Sequence, residues 1–466
     1  FVKVTEKEKA LWVLDQQIND RGVGVEMQLV ENAIKLDDIN RTRLVDEASE
    51  LTGLDNPNSV AQIKQWLQDM MECDEIKSLN KEAVNKLIKS NEDPDIHDLL
   101  KLRQEMGKTS VKKYAKIQGS VCENGRVKGL LQYYGANRTG RWAGRIVQMH
   151  NLPQNHLKDL DSARNLLMDG DLDTLTLCYG SLPMVLSELI RTAFIAKKNH
   201  TFAVADFSAI EARVIAWLAG EKWVLDVFRT HGKIYEASAA QMFHIPIEEV
   251  TKDQRSRGKV ATLALGFQGG VSALTRMDAA GAIPDNEKQG IVDLWRKTNP
   301  NIKNLWYSYG KAAIKAVKDN VGVSLAHGVK FIGAKSMLFI ELPSGRRLAY
   351  VRPRIIEGKY GEALQYWGTN QETKKWGLVD TYGGKLTENI VQAVARDCLA
   401  ETLLRLDACG YEVCLHVHDE VIVEVPIDKA EEQLKNICEI MGTEILWAKG
   451  LPLNAAGYIT KYYKKD

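Results

Sequence analysis

Two apolar runs, each delivering a carboxylate, constrain this chain more than any other feature. In TFAVAD, Thr201 to Asp206, the residues Phe202, Ala203, Val204 and Ala205 make a short, almost unbroken apolar stretch, the pattern of a strand buried on both faces. Asp206 closes it, and Ser208 suits the N-cap of a helix running through Ile210, Val214 and Leu218. In VCLHVHDEVIVEV, Val413, Leu415 and Val417 alternate before His418, Asp419 and Glu420, and Val421 and Val423 resume the alternation. That predicts a hairpin with acidic residues at its tip. An uncompensated carboxylate beside two apolar strands costs several kcal/mol. Shared divalent cations are one remedy, since Mg²⁺ takes one or two carboxylates plus substrate phosphates, and a two-metal clamp aligns in-line phosphoryl transfer. The residues alone leave a second reading open: two unrelated carboxylates, one at a strand end and one in a turn.

A third segment, QRSRGKVATLALGFQGG, places Arg255, Lys259, Leu263 and Phe267 four positions apart, along one helical face with two cations at its start. Such a face can hold a triphosphate and offer an apolar surface to a base and sugar. An ordinary core stripe of Val260, Leu263, Ala264 and Phe267, with Arg255 and Lys259 solvated beyond it, is the alternative these residues leave open.

In their order and wide spacing, the three segments resemble the polymerase motifs of family A DNA polymerases. DFSAIEARV is similar to the first motif, the Arg255 to Phe267 helix to the nucleotide-binding helix of the fingers, and VHDEV to the third motif. NRTGRWAGRIVQMHNLPQ is similar to the template and primer contact segment, and ENIVQAVARD to a helix whose glutamine lies along the minor groove. VADFSAIEARVIAWLAGE and LPLNAAGY look most like the phage and prophage branch. The resemblance spans essentially the whole chain. It implies an α+β right-hand fold with an antiparallel-sheet palm, a helical thumb and helical fingers. The expected division is a palm segment at 1–27, thumb 28–133, palm 134–220, fingers 221–387 and palm 388–466. The implied activity is that of a DNA-directed DNA polymerase in phage-type replication. It adds dNMP from dNTP to a primer 3′-hydroxyl by two-metal-ion transfer and releases pyrophosphate.

The same resemblance assigns roles. Asp206 and Asp419 would bind two Mg²⁺ ions, with Mn²⁺ able to substitute and the Phe207 backbone carbonyl as an extra ligand; Glu420 is an accessory acid. Arg255 and Lys259 would grip the phosphates, and Lys259 would also protonate the leaving group. Glu211, five residues after Asp206, would close the space a ribose 2′-hydroxyl needs and so select deoxynucleotides. His418 would touch the primer end, while Arg141 and Gln392 reach minor-groove acceptors, whose degenerate pattern suits copying any sequence. Asn151 belongs to the template and primer segment, and Lys112 and Lys113 would track duplex phosphates. Three positions depart from the family pattern. Leu263 stands for a Phe or Tyr that packs on the sugar, Phe267 for a Tyr that stacks on the template base, and Tyr235 for a His near the β-phosphate. Gly266, Gly269 and Gly270 imply a pivot on which the fingers open and close.

Composition bounds this reading without choosing it. A chain of 466 residues is too long for one compact core and suggests two to four lobes. Its net charge of +1 leaves DNA-binding charge to be local. KLRQEMGKTSVKKYAKIQ supplies such a patch, with Lys101, Arg103, Lys108, Lys112, Lys113 and Lys116 against Glu105, although a solvated face reads the same way. Residues 6–26 read as a helix, a glycine turn and a short strand; Ser59 is placed to cap VAQIKQWLQDM, and SMLFIELPSGRRLAYVRPRI is strand-like. The 7 cysteines are scattered without metal spacing, and no secretory signal or run of about 18 apolar residues occurs. The expectation is a soluble monomer with reduced thiols in the cytoplasm, that of a bacterial host if phage-encoded. Its partners would be primer-template DNA, dNTPs and replication accessory proteins, with no membrane. No DxE-type exonuclease motif is found near the start, and a beginning at Phe1 suggests a fragment. The competing classes are an RNA polymerase or a translesion DNA polymerase of the same architecture, or a DNA-binding accessory that has lost activity. Retention of Asp206, Asp419, Arg255 and Lys259 argues against the last.

Overall fold

The computed structural model describes residues 4–73, 75–108, 111–278, 281, 283–358, 361–371 and 373–465. Helix α1 (Glu6–Arg21) starts under Thr5, whose hydroxyl accepts from the Glu8 amide, and stops at Gly22. That glycine has φ 61°, and a Cβ on it would lie 2.3 Å from the Val127 carbonyl oxygen, so no other residue lets the chain turn here into β1 (Val23–Val25). An arm of helices follows: α2 (Met27–Thr52), α3 (Val60–Met70), α4 (Lys81–Ser90), α5 (Pro94–Met106) and α6 (Val111–Gln118). Ser59 caps α3 as expected, accepting from the Gln62 amide. The chain then returns through β2 (Arg126–Val127), antiparallel to β1 with Val23 opposite Val127. Leu44, Ala48, Ile63, Leu67, Leu99 and Leu100 form a hydrophobic cluster of their own within the arm. Leu29, Val30, Tyr114 and Ile117 instead join the main core.

The hairpin β3 (Leu131–Ala136) and β4 (Arg141–Gly144) comes next, then α7 (Leu160–Asp169), α8 (Leu172–Tyr179) and α9 (Leu182–Leu189). Strand β5 (Phe194–Ile195) completes a small sheet of order β2-β1-β5. Strand β6 (His200–Phe207) is the buried run read from the sequence, with Thr201 to Ala205 wholly inside. Seven helices follow: α10 (Ile210–Ala219), α11 (Lys222–Thr230), α12 (Ile234–Phe243), α13 (Lys252–Leu265), α14 (Val271–Met277), α15 (Lys288–Thr298) and α16 (Pro300–Asp319).

The strand-like stretch beyond α16 is larger than its sequence suggests. It belongs to an antiparallel meander of β7 (Gly322–Ser324), β8 (Lys330–Ala334), β9 (Met337–Glu341), β10 (Arg347–Gly358), β11 (Gly361–Thr369) and β12 (Trp376–Thr381). One face packs on α16, closely enough that a Cβ on Gly333 would fall 1.8 Å from the Ala316 carbonyl oxygen.

Helix α17 (Gly383–Ala408), the predicted hairpin β13 (Val413–Val417) and β14 (Glu420–Pro426), helix α18 (Ala430–Gly442) and β15 (Ala455–Thr460) finish the chain. The main sheet has the order β13-β14-β6-β15, antiparallel throughout, so β6 is held from both sides. Phe202, Val204, Val421, Ile422 and Val423 are fully buried in it, each contributing about 1.5–3 kcal/mol of apolar burial.

One expectation fails next to the sheet. Ser208 does not cap α10; the cap is Ala209, at φ 51° and without a side-chain bond. Arg213 accounts for this. Its buried guanidinium donates to the Ser208 carbonyl at 2.6 Å and to the Pro452 carbonyl at 2.9 Å, tightening the turn by one residue.

Candidate active site

Sheet register brings the acids together. Asp206 lies opposite Glu420 on β14 and Ala456 on β15. Val417 and Glu420 close a two-residue turn of His418 and Asp419, and the Phe207 amide donates to the Asp419 carbonyl at 3.3 Å. His418 adopts φ 57°, a conformation that favours glycine, so the turn carries backbone strain at the point where it presents Asp419.

The two carboxylates of the register pair are compensated unequally. Glu420 is buried; it accepts from the Tyr463 hydroxyl at 2.7 Å and has Lys465 Nζ 3.7 Å away. Burial still raises its pKa. Asp206, its side chain 42 % exposed, has one oxygen 3.9 Å from Lys465 Nζ and one oxygen, Oδ1, buried without any hydrogen-bond partner. Burial, and then the charge of Asp419, push its pKa up to about 7 against the pull of Lys465. An orphaned carboxylate oxygen beside a second carboxylate is the donor set that a hard divalent cation satisfies. Among the described residues no group of three or more His, Cys, Asp or Glu side chains encloses a metal on its own. Two carboxylates completed by phosphates and water are the form such a site takes for Mg²⁺.

A cleft opens in front of Asp419 and is lined by Glu211, Tyr235, Leu263 and Phe267, which come from α10, α12, α13 and the turn after α13. Leu263 is 45 % exposed in the cleft, while Val260, Ala264 and Phe267, the rest of the alternative core stripe, pack partly on the core. Gly258 is what lets α13 approach α12, because a Cβ there would lie 2.4 Å from the Tyr235 carbonyl oxygen. Gly269 likewise permits the turn after Phe267, its Cβ position lying 2.0 Å from the Ala264 carbonyl oxygen.

Arg255 and Lys259 flank Tyr235, at 5.8 and 6.0 Å from its ring centre. Arg255 Nε also donates to Glu236 at 2.7 Å, a partner that sequence reasoning missed. Burial raises the Tyr235 pKa, with Arg255 opposing.

The DNA-facing candidates divide into three places. Arg141 does not stand free: it pairs with Glu211 at 2.7 Å. Both Arg141 and Gln392 line a groove beside the six-stranded sheet. His418 is exposed and its Nε2 lies 3.2 Å from the His150 carbonyl. Next to it in the chain, the Asn151 carbonyl accepts from Lys113 Nζ at 3.3 Å, so Lys113 reaches from α6 to the segment beside the turn, whereas Lys112 stays in solvent.

Sequence reasoning also missed Lys465 and Tyr463. They follow β15, whose pairing with β6, together with the Tyr462 bridge to Ile195 and the Tyr463 amide donating to the Phe194 carbonyl at 2.8 Å, carries them back under the acids.

Comparison with known proteins shows the family. The family profile described as DNA polymerase family A matches residues 29–328. The chain is 54% identical over 466 residues to a DNA polymerase of Bacillus phage SP02, covering 99% of this chain and 71% of that one. It is 26% identical over 261 residues to the thermostable DNA polymerase I of Thermus aquaticus, 55% of this chain and 26% of that one. In fold it resembles the POL domain of Pol1 from M. smegmatis, solved in complex with DNA primer-template and dNTP, with a TM-score of 0.63 and 17% identity over 98% of this chain and 69% of that one. A profile match over most of the chain, a phage relative of that identity and two acids meeting on one sheet lead to one conclusion: the chain belongs to DNA polymerase family A.

Proposed function

We propose that this enzyme of template-directed DNA synthesis extends a primer 3′-hydroxyl with deoxynucleoside triphosphates through a two-metal site, in phage-type replication. The supporting observation is the cleft in which Asp419 faces Glu211, Tyr235, Leu263 and Phe267, with Asp206 on the neighbouring strand. Asp206, Asp419 and the Phe207 carbonyl would hold Mg²⁺, which when bound acidifies the primer hydroxyl and neutralises the triphosphate. Glu420 would remain an accessory acid, its carboxylate held by the Tyr463 hydroxyl and sharing Lys465 with Asp206. Arg255 and Lys259 bind the phosphates from α13, and Lys259 is placed to give a proton to the departing pyrophosphate. Arg255 trades Glu236 for phosphate as it does so. Phe267 stacks on the template base without the hydrogen bond a tyrosine would add. Residues 28–133 serve as the thumb and 221–387 as the fingers, and the strained His418 presents itself to the primer end.

Primer extension on a primed DNA template with Mg²⁺ tests this reading. The expected result is extension with dNTPs only, lost on Asp419→Asn. Tight binding of primed DNA with no extension by the intact chain would overturn it.

Sugar selection yields a separate expectation. Glu211 is the gate, and because Phe267 has no hydroxyl to hold it, the Arg141 ion pair is what fixes its carboxylate. Losing a charge-assisted hydrogen bond of this kind is worth about tenfold. Arg141→Ala should therefore raise ribonucleotide use, read as the ratio of kcat/KM for dNTP and rNTP, by about that factor. Glu211→Ala should raise it further. An unchanged ratio in Arg141→Ala would show that Glu211 is held by packing alone.

A further inference from the structure

The cation that faces the acids is held in place by the fold as well as by the acids. Besides its ties to β5, the segment after β15 is fixed on two further sides: the Tyr462 hydroxyl donates to Asp161 on α7 at 2.6 Å, and the Lys465 amide donates to the Asn155 side chain at 2.9 Å. Below it lies Arg191, which is buried and donates to the Leu152 and Pro153 carbonyls at 2.6 Å and to the Tyr463 hydroxyl at 2.9 Å. That hydroxyl in turn donates to Glu420. The backbone of Lys465 is therefore anchored, and only its side chain spans the distance to the acids.

A lysine that must organise itself to meet a carboxylate loses side-chain entropy, which is why exposed ion pairs contribute little. Lys465 is different, with an anchored backbone and a side chain only 20 % exposed. Its Nζ lies 3.9 Å from Asp206 and 3.7 Å from Glu420. Both distances are too long for hydrogen bonds. The ammonium thus acts on the two acids as a point charge between them, and Asp206 Oδ1 keeps its lone pairs free of any hydrogen bond.

A charge so placed acts on a metal as it does on the acids, with the opposite sign. Its repulsion of a divalent ion is twice that between two unit charges at the same separation. Lys465 therefore opposes a divalent ion that arrives alone. It opposes less an ion that arrives with a triphosphate, because the phosphates bring negative charge of their own.

We propose that Lys465 is the resident counter-cation of the metal site: it compensates Asp206 and Glu420 while no metal is bound, and it biases the site toward divalent ions carried in by a nucleotide. The inference rests on the two-metal reading and deepens it by naming the residue that sets divalent affinity.

The test is Mn²⁺ binding to the chain free of DNA and nucleotide, read by electron paramagnetic resonance of the unbound ion, with Asp206→Asn identifying the ion held at the acids. Lys465→Met should bind that ion about tenfold more tightly at low salt, the factor expected when a unit charge about 6 Å from a divalent ion is removed in a medium as polar as water. The gain should shrink as salt is added. Lys465→Arg keeps the charge and should bind Mn²⁺ as the unmodified chain does. A merely structural residue would not behave this way, because loosening the segment would weaken binding. With a dideoxy-terminated primed DNA and its matched dNTP present, most of the gain in Lys465→Met should vanish. Unchanged or weaker Mn²⁺ binding by Lys465→Met overturns the proposal, and so does an equal gain with nucleotide present. Mn²⁺ binding that Asp206→Asn leaves untouched would sink the metal reading itself, and that control tells the two failures apart.

Discussion

Asp206→Asn is expected to suppress nucleotide addition about a thousandfold or more, and at the same time to make the metal-free protein more stable at pH 8. The loss of activity follows from the metal-holding role proposed for Asp206, whose charge would contribute several kcal/mol to phosphoryl transfer. The gain in stability follows from what the carboxylate suffers in the fold. Burial and the neighbouring Asp419 raise its pKa to about 7, well above the value of about 3.9 it has in an unfolded chain. Between about pH 4 and 7 the folded state holds more protons than the unfolded one, so stability falls as pH rises and the cost is complete above pH 7. One oxygen faces solvent, so screening reduces that cost to on the order of 1–2 kcal/mol. Melting curves in a chelator should therefore slope downward from pH 5 to pH 8 for the unmodified chain and less so for Asp206→Asn. Added Mg²⁺ should recover stability at pH 8 by mass action, and should do so far less in the variant. Identical pH profiles for the two proteins would refute the electrostatic account.

Arg396→Met should lower the melting temperature more than any surface substitution in the chain. Arg396 is 2 % exposed and donates to Glu8 at 2.8 and 3.1 Å, to Asp397 at 3.1 Å, to the Tyr133 hydroxyl at 3.1 Å and to the Gly140 carbonyl at 3.1 Å. Its guanidinium also lies 4.8 Å from the Trp142 ring centre. Burial disfavours its charge, but Glu8 and Asp397 outweigh that and raise its pKa. Asp397 in turn pairs with Arg346 at 2.8 Å, on the loop between β9 and β10. One cation thus ties α1, the β3–β4 hairpin and α17 together, and its neighbour ties in the sheet. Removing one partner of a buried pair costs about 3–5 kcal/mol because the others are left charged and unpaired. Calorimetry should show the main transition shifted down, and adding Glu8→Gln to Arg396→Met should return part of the loss. A shift no larger than that of an exposed control such as Lys435→Ala would mean the network is solvated in practice.

The chemistry-bearing strands were legible because their signals are local. Phe202 to Ala205 read as a buried strand and form one, and the alternation around His418 placed the hairpin, although Glu420, read as part of its tip, is the first residue of β14. The every-fourth-residue face of α13 was equally clear, and the structure leaves Leu263 exposed on it while Val260, Ala264 and Phe267 pack partly on the core. What the sequence hid depends on distant partners. Ser208 is a good cap by type, but Arg213 takes its carbonyl. Glu211 and Arg141 are 70 residues apart, and Arg396 and Glu8 are 388 apart, so no window of sequence pairs them. The extent of the six-stranded meander was hidden for another reason: β11 and β12 carry glycines, glutamine and aspartate among their apolar residues, and the Arg354–Gln365–Asp380 hydrogen bonds across three strands supply what a hydrophobic stripe would have shown.

Helix α2 belongs to two cores at once, with Leu29 and Val30 in the main one and Leu44 and Ala48 in that of the arm. A helix of 26 residues is about 39 Å long, so this single rod carries the outer cluster well clear of the sheet that holds the acids. The outer cluster is then a cooperative unit of its own, able to open below the threshold for global unfolding. Hydrogen exchange should find amides of α3 to α5 protected to one shared, lower level and those of β6 and β14 to a higher one. With the thumb role proposed for this arm, its grip on duplex DNA would thereby loosen and re-form without disturbing the strands beside Asp206 and Asp419.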